Sequence, residues 1–249
     1  MLEVIAAFVV GIGIGGVVNQ LGTDLPGHGT PTVPHCPYCG RERVWWQWLG
    51  LLAHLVGQPE CDACGAPIKM RRPLVEIGLG FTYGYLWVAF GPSGELVFYS
   101  LYSAVFALIL ITDLERRLIL NVVTYPAILL GLVGSFFVPR VTWWSALLGG
   151  GIGLTFFFLA AVVGRAAFGA GALGGGDVKL AAFIGVITGF PMVIEAIVLT
   201  ILVGALVSLI LLITGIKGLQ DHIPYGPFLV AGAVATLLWG YPIAAWILA

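Results

Sequence analysis

Apolar stretches that are almost free of charge follow one another along most of this chain, and few folds can accommodate them. Only 9% of the 249 residues are charged, whereas 59% are hydrophobic, so a soluble domain would lack the polar side chains to cover its surface. Continuous apolar runs are typical of membrane helices, whereas barrel strands alternate apolar and polar residues. The sequence therefore predicts an all-α polytopic membrane protein.

A spanning helix needs about 20 mostly apolar residues, and on this basis we expect about eight transmembrane helices. They are placed at about 2–22, 74–91, 96–113, 119–138, 143–164, 178–190, 192–214 and 225–248. The first run has no basic leading region and no small-residue cleavage motif, so we interpret it as a retained helix rather than a signal peptide. The sixth is short, and Gly189 with Pro191 separates it from the seventh.

The basic residues are distributed unevenly between the two sides that eight spans would define. One set of alternate loops contains only Arg140. The other set contains Arg41, Arg43, Lys69, Arg71, Arg72, Arg116, Arg117, Arg165, Lys179 and Lys217. Because loops rich in Lys and Arg stay in the cytoplasm, we predict that this second set is cytoplasmic and that both termini face outward. The longest loop, 23–73, then lies in the cytoplasm.

All four cysteines of the chain fall in that loop, as two Cys-x-x-Cys pairs with 21 residues between them. A glycine follows each pair, and two such tight turns can aim four thiolates at one ion. Two disulfides or four free thiols are the alternatives, and a reducing cytoplasm disfavours the disulfides. We therefore predict a structural Zn²⁺ site whose ligands are Cys36, Cys39, Cys61 and Cys64.

A tryptophan-rich segment, residues 44–54, lies between the two pairs and is too short to span. It can form a helix on the membrane surface, with its tryptophans at headgroup depth, or the small core of the zinc-binding insertion. The residues alone favour neither. His35 adjoins Cys36, but we expect it to be a bystander because four thiolates already satisfy the metal.

Two acidic residues stand out because they lie at the predicted inner ends of spans. Asp113 ends the third span and Asp177 begins the sixth, and each adjoins basic residues. Ionisable groups at such positions are functional candidates, and two carboxylates on different helices can share a proton and activate water. Ordinary helix capping and ion pairing remain the alternative for both.

Three glycines, Gly174, Gly175 and Gly176, precede Asp177, and Lys179 follows it. Without side chains they would allow a sharp turn and the close approach of a substrate backbone, or simply form a linker and a cap. The spacing from Gly171 matches a phosphate-binding loop, but Asp177 replaces its lysine. The glycines of residues 11–16 match a dinucleotide motif but lie in an apolar span, so we predict that Gly11 and Gly15 pack against another helix.

These motifs, taken in order, resemble those of type IV prepilin peptidases, the G-x-G-D class of membrane aspartyl proteases. The matching pieces are the two cysteine pairs, residues 72–76 (RPLVE), Asp113 with its basic neighbours, residues 174–179 (GGGDVK) and residues 223–228 (IPYGPF). The resemblance covers nearly the whole chain. It departs at Leu120 and Asn121, where the family has Pro-Asp, at Arg72, where it has Tyr, and in the region after Asn19.

The resemblance implies a function for each part. Asp113 and Asp177 would be the catalytic pair, supported by Gly174, Gly175, Gly176 and Lys179. The substrate would be a type IV prepilin or pseudopilin precursor, cut at the cytoplasmic face of the bacterial inner membrane. Many members then methylate the new N-terminus with S-adenosylmethionine, an activity associated with the cysteine loop. A peptidase without this second activity, a transporter and an assembly scaffold are the alternatives.

The resulting division of the chain has three parts. Residues 1–22 form the first transmembrane helix, 23–73 the cytoplasmic four-cysteine loop and possible methyltransferase region, and 74–249 the transmembrane protease domain. Besides the precursor, we expect the lipid bilayer as a partner, and we expect no nucleic acid. The sequence does not indicate an oligomeric state.

Overall fold

The structure, a computed structural model, describes residues 1–168, 173–215 and 224–248. The helices are α1 Leu2–His28, α2 Gly50–Leu55, α3 Arg71–Phe90, α4 Gly94–Arg116, α5 Asn121–Gly134, α6 Trp143–Phe168, α7 Gly175–Thr188, α8 Met192–Ile213 and α9 Gly226–Leu248. The predicted all-α class is confirmed, and each predicted span coincides with one helix. Gly171, Lys217 and Ile223, which the sequence argument used, lie outside the described residues.

The helices differ in how well they are suited to crossing a membrane. Four are long and apolar enough by length and composition, with spans at Leu2–Gly27, Gly94–Arg116, Trp143–Ala166 and Met192–Ile213. Asn121–Gly134 and Gly226–Gly240 are shorter apolar helices. The helices α3, with 20 residues, and α7, with 14, belong to neither group. The chain is thus a multi-pass helical membrane protein.

The first helix is longer than predicted, because it continues to His28 instead of ending near residue 22. Its last turns carry Asn19, Gln20 and Asp24, all of which are buried against the protein. Gly29 then ends the helix with φ of 72°, a left-handed conformation that favours glycine. Polar residues beyond the predicted end of the span are therefore part of the helix.

The chain forms two compact units, residues 1–112 and 113–249. In the first unit α1 packs closely on α3. A Cβ at Gly11 would lie 2.5 Å from the carbonyl oxygen of Leu79, and one at Gly15 would lie 2.6 Å from Cα of Glu76. The predicted packing role of these two glycines is confirmed. The division of the sequence at residues 22 and 73 does not follow these units and stays a prediction.

In the second unit α7 is the central helix. Ten of its 14 residues are buried, and glycines bring α6 against it at backbone distance. A Cβ at Gly153 would collide with the carbonyl of Ala181, and one at Gly149 with that of Gly185. The break predicted between the sixth and seventh spans is confirmed, since α7 ends at Thr188 and Gly189 has φ of 69°. Close packing thus fixes the helix whose first turn carries Asp177.

The replacement of Gly15 by Ala is expected to lower the free energy of unfolding by about 1–3 kcal/mol, because the added methyl group overpacks the contact with α3. Gly13 provides the matched control. It lies on the same helix, and a Cβ there meets nothing within 4 Å, so Gly13→Ala should be neutral or slightly stabilising. Thermal unfolding in detergent measures both, and equal effects of the two substitutions would contradict this packing.

Candidate active site

The two candidate carboxylates belong to the second unit and come from different helices. Asp113 lies near the end of α4 and is 5% exposed, while Asp177 lies in the first turn of α7 and is 9% exposed. Asp177 is within electrostatic range of both Asp113 and Tyr225. Two buried acids within electrostatic range of each other are candidates for a pair of carboxyl groups that shares a proton.

Each carboxylate is held by a backbone N–H group. The amide of Gly226, at the start of α9, donates to Oδ2 of Asp113 at 3.1 Å. The amide of Gly174 donates to Oδ2 of Asp177, also at 3.1 Å. Asp177 therefore does cap its own helix, as the alternative interpretation required. The cap uses one oxygen and leaves the other for chemistry, so capping and catalysis are compatible.

The three glycines before Asp177 differ in what their missing side chains allow. Gly174 has φ of −79°, a value open to other residues, so the sharp turn does not require glycine there. A Cβ at Gly176 would lie 2.8 Å from Cβ of Ile119, whereas one at Gly175 would meet nothing within 4 Å. Gly176 thus permits close packing, and Gly175 leaves open space beside the site.

Lys179 follows Asp177 by two positions on α7, and side chains at this spacing do not face each other. Its ammonium group donates to Oδ1 of Asn121 at 2.5 Å and lies 5.5 Å from the ring centroid of Tyr125. Both partners belong to the first turns of α5. Lys179 therefore ties α5 to α7, and it does so at the position where the sequence departs from the resemblance with Asn in place of Asp.

Sequence reasoning missed the role of Gly226, which it noted only as part of a matching motif. A Cβ at this position would collide with Oδ2 of Asp113, so only glycine lets the α9 amide reach the carboxylate. The neighbouring Tyr225 packs its ring against Phe157 and Phe228, with centroid distances of 6.0 and 5.8 Å. The glycine between Tyr225 and Pro227 was the only sign in the sequence of a close backbone approach at this position.

The Gly226→Ala variant is expected to lower activity that depends on Asp113 by about 10–100-fold, because its methyl group displaces the carboxylate and loses the hydrogen bond. Gly151→Ala in α6 is the matched control, since a Cβ there meets nothing within 4 Å. Rates of precursor cleavage measured on both variants test this role. A fully active Gly226→Ala would show that the position of Asp113 is not set by this contact.

The four cysteines of the first unit lie together, with all four Sγ atoms within 4.8 Å of one another. Cys36 and Cys64 have their sulfurs 3.7 Å apart, and Cys39 and Cys61 have theirs 3.8 Å apart. Both distances exclude a disulfide, in which the sulfurs are about 2.05 Å apart. They match the separation of about 3.8 Å that Zn–S bonds of about 2.3 Å produce in a tetrahedron. These residues could hold one metal ion.

Local backbone geometry positions the four cysteines of this cluster. Gly40 and Gly65, which follow the two pairs, have φ of 74° and 66°, as predicted for turns that favour glycine. Backbone N–H groups of Ala63 and Cys64 lower the pKa of the Cys61 thiol to about 6. Hydrogen bonds of this kind favour the thiolate, the form of cysteine that binds metal.

The segment between the pairs has both exposed and buried side chains. Trp45 and Trp48 are 68% and 48% exposed, whereas Ala53 and Gln47 are buried. Of the two alternatives left open by the sequence, the small core does not include the side chains of these two tryptophans. His35 is not a member of the metal cluster, and its Nδ1 lies 3.0 Å from Oγ1 of Thr32.

The protein thus belongs to the class of multi-pass helical membrane proteins, and it carries two buried acids and a four-cysteine cluster. A family model described as the type IV leader peptidase family matches residues 100–209, and one for the bacterial peptidase A24 N-terminal domain matches residues 9–90. The chain belongs to the type IV leader peptidase family. This family and the apolar helices together make it a multi-pass inner-membrane protein.

Curated relatives cover most of the chain. A prepilin leader peptidase/N-methyltransferase of Pseudomonas putida is 30% identical over 211 residues, which are 84% of this chain and 73% of the relative. One of Bacillus subtilis is 28% identical over 235 residues, 94% of this chain and 93% of the relative. One of Pseudomonas aeruginosa is 29% identical over 205 residues, 82% and 71% respectively. No solved structure matches.

Proposed function

We propose that this protein cleaves the short leader of type IV prepilin or pseudopilin precursors, with Asp113 and Asp177 as the catalytic pair. The observation that carries this proposal is the pair itself: two buried carboxylates on separate helices, within electrostatic range of each other. The names of the relatives supply the substrate class. The backbone amides that hold one oxygen of each carboxylate support the proposal, because they orient both acids without neutralising them.

The reaction is hydrolysis by general acid-base activation of water. One carboxylate is ionised and takes a proton from a water molecule while the oxygen of that water attacks the scissile carbonyl carbon. The other is protonated and donates its proton to the substrate as the C–N bond breaks. The products are a leader with a free carboxylate and a shortened chain with a free amine, and no acyl-enzyme forms.

The second activity is transfer of a methyl group from S-adenosylmethionine, as co-substrate, to the new N-terminal amine. The S–CH₃ bond of the donor breaks, an N–CH₃ bond forms, the amine loses a proton, and S-adenosylhomocysteine leaves. We propose that the loop of residues 23–73 contributes to this step. Cys36, Cys39, Cys61 and Cys64 would hold Zn²⁺, which would stabilise the fold of the loop. Four protein ligands leave no open position on the metal for substrate, so its contribution is structural.

The unequal distribution of Lys and Arg supports the proposed orientation, with the loop and the two acids at the cytoplasmic face and both termini outside. In this orientation the acids would meet a precursor just before its hydrophobic helix. Residues 1–22 would then serve as the first membrane helix, and residues 74–249 would carry the peptidase.

Incubation of the detergent-solubilised protein with a pilin-like precursor, with and without S-adenosylmethionine, tests both activities. We expect the leader to be lost in both reactions, and the mass of the new N-terminus to rise by one methyl group only with the methyl donor. Cleavage without methylation would leave a peptidase alone. An uncut precursor in both reactions would favour a transporter or an assembly scaffold.

A further inference from the structure

Glu76 is fully buried in the first unit, and its carboxylate binds a segment of the four-cysteine loop. Oε1 accepts a hydrogen bond from the amide of Gly50 at 2.8 Å, and Oε2 accepts one from the amide of Leu51 at 2.7 Å. These amides belong to the first turn of α2, where helix N–H groups have no partner within the helix. Glu76 therefore caps a helix other than its own.

Asn19 of α1 completes this arrangement. Its Nδ2 donates to Oε1 of Glu76 at 3.3 Å and to the carbonyl of Arg72 at 2.9 Å. The side chain of Asn19 is fully buried. One carboxylate therefore joins three segments of the first unit: α1, the start of α2 and the first turns of α3.

The approach of the loop to these helices is close enough to require glycine. A Cβ at Gly50 would lie 2.5 Å from Cβ of Arg72 and 3.0 Å from Cδ of Pro73. A Cβ at Gly16 would collide with the side chain of Leu49. The loop therefore contacts α1 and α3 at backbone distance, at the position where Glu76 binds it.

Further contacts connect this position to the cysteine cluster. Gln47 is buried and donates from Nε2 to the carbonyl of Glu60 and to Oδ1 of Asp62, both at 3.1 Å. Glu60 and Asp62 flank Cys61. The segment that Glu76 holds is thus hydrogen-bonded to the second cysteine pair a few residues away.

We propose that Glu76 is the positioning residue that fixes the four-cysteine loop on the α1 and α3 helices, and that it supports methyl transfer but not leader cleavage. The part that concerns methyl transfer rests on the proposed function. Removing a carboxylate from two buried N–H donors leaves them without an acceptor, and such groups are costly. The loop then detaches locally, while Asp113 and Asp177 keep their contacts within the other unit.

Glu76→Gln in the whole chain tests this inference. The substitution replaces one of the two accepting oxygens of Glu76 by an NH₂ group, which cannot accept a hydrogen bond from a backbone N–H. We expect hydrogen exchange of peptides covering residues 50–55 to rise about tenfold or more, and methylation to fall about tenfold, with cleavage within about twofold of the wild type. Asn19→Ala removes one donor and should give a smaller change in the same direction. Glu60→Gln, at an exposed carboxyl of the same loop, is the matched control.

Each outcome bears on the inference. Unchanged exchange at residues 50–55 in Glu76→Gln would overturn it, and so would loss of cleavage together with methylation, which indicates collapse of the whole protein. If the wild type cleaves but never methylates, the proposed methyl transfer fails. Hydrogen exchange then decides alone whether Glu76 fixes the loop.

Discussion

Replacing Asp177 by Asn is expected to lower the rate of leader cleavage by at least about 10³-fold. The substitution is nearly isosteric, and the amide oxygen of Asn can still accept the hydrogen bond that Gly174 donates to Asp177. The helix cap is therefore retained, and only the ability to hold and release a proton is lost. A gel shift of a pilin precursor measures the rate, and the variant should insert into the membrane normally.

Asp113→Asn should have a similar effect, because its amide oxygen can still accept from Gly226. Since the two acids act as one unit, the double variant should be little worse than either single one. Glu115→Gln, at an exposed carboxyl in the last turn of α4, is the control for loss of a carboxylate, and it should cleave at the wild-type rate. Full processing by Asp177→Asn would exclude the two-aspartate mechanism and leave Asp177 as a helix cap.

Structural features that depend on residues close together in the chain were predictable from the sequence. The apolar runs located the helices, and the glycines after each cysteine pair indicated turns that the structure has, with positive φ at Gly40 and Gly65. The packing of Gly11 and Gly15 on another helix was also predictable from their spacing. In each case the physical cause acts within a few residues, so the local pattern contains it.

Contacts between distant residues were not predictable, because no local pattern says which partner a buried polar group finds. Glu76 accepts hydrogen bonds from amides that lie 25 and 26 positions earlier in the chain. Gly226 and Asp113 are separated by 113 positions. The end of α1 was misplaced for the same reason, since its polar residues are buried by tertiary packing.

Replacing Cys36 by Ser is expected to abolish metal binding by the purified protein and to unfold the cysteine loop. Cys36 is buried, and its sulfur lies 3.7 Å from that of Cys64. A serine hydroxyl is a far poorer zinc ligand than a thiolate. In small structural sites bound Zn²⁺ supplies about 10–16 kcal/mol of folding free energy, so a loop with so small an apolar core should not stay folded without it. Metal analysis and limited proteolysis between residues 29 and 70 measure the two effects.

The matched control for this substitution is His35→Ala, which changes the adjacent residue outside the cluster and should keep the metal. Cleavage should persist in Cys36→Ser, because Asp113 and Asp177 lie in the other unit, whereas methylation should be lost with the fold of the loop. Absence of zinc from the wild-type protein would contradict the proposed metal site. Full zinc content in Cys36→Ser would show that this cysteine is not a ligand. If the variant loses leader cleavage together with its zinc, the loop is also needed by the peptidase.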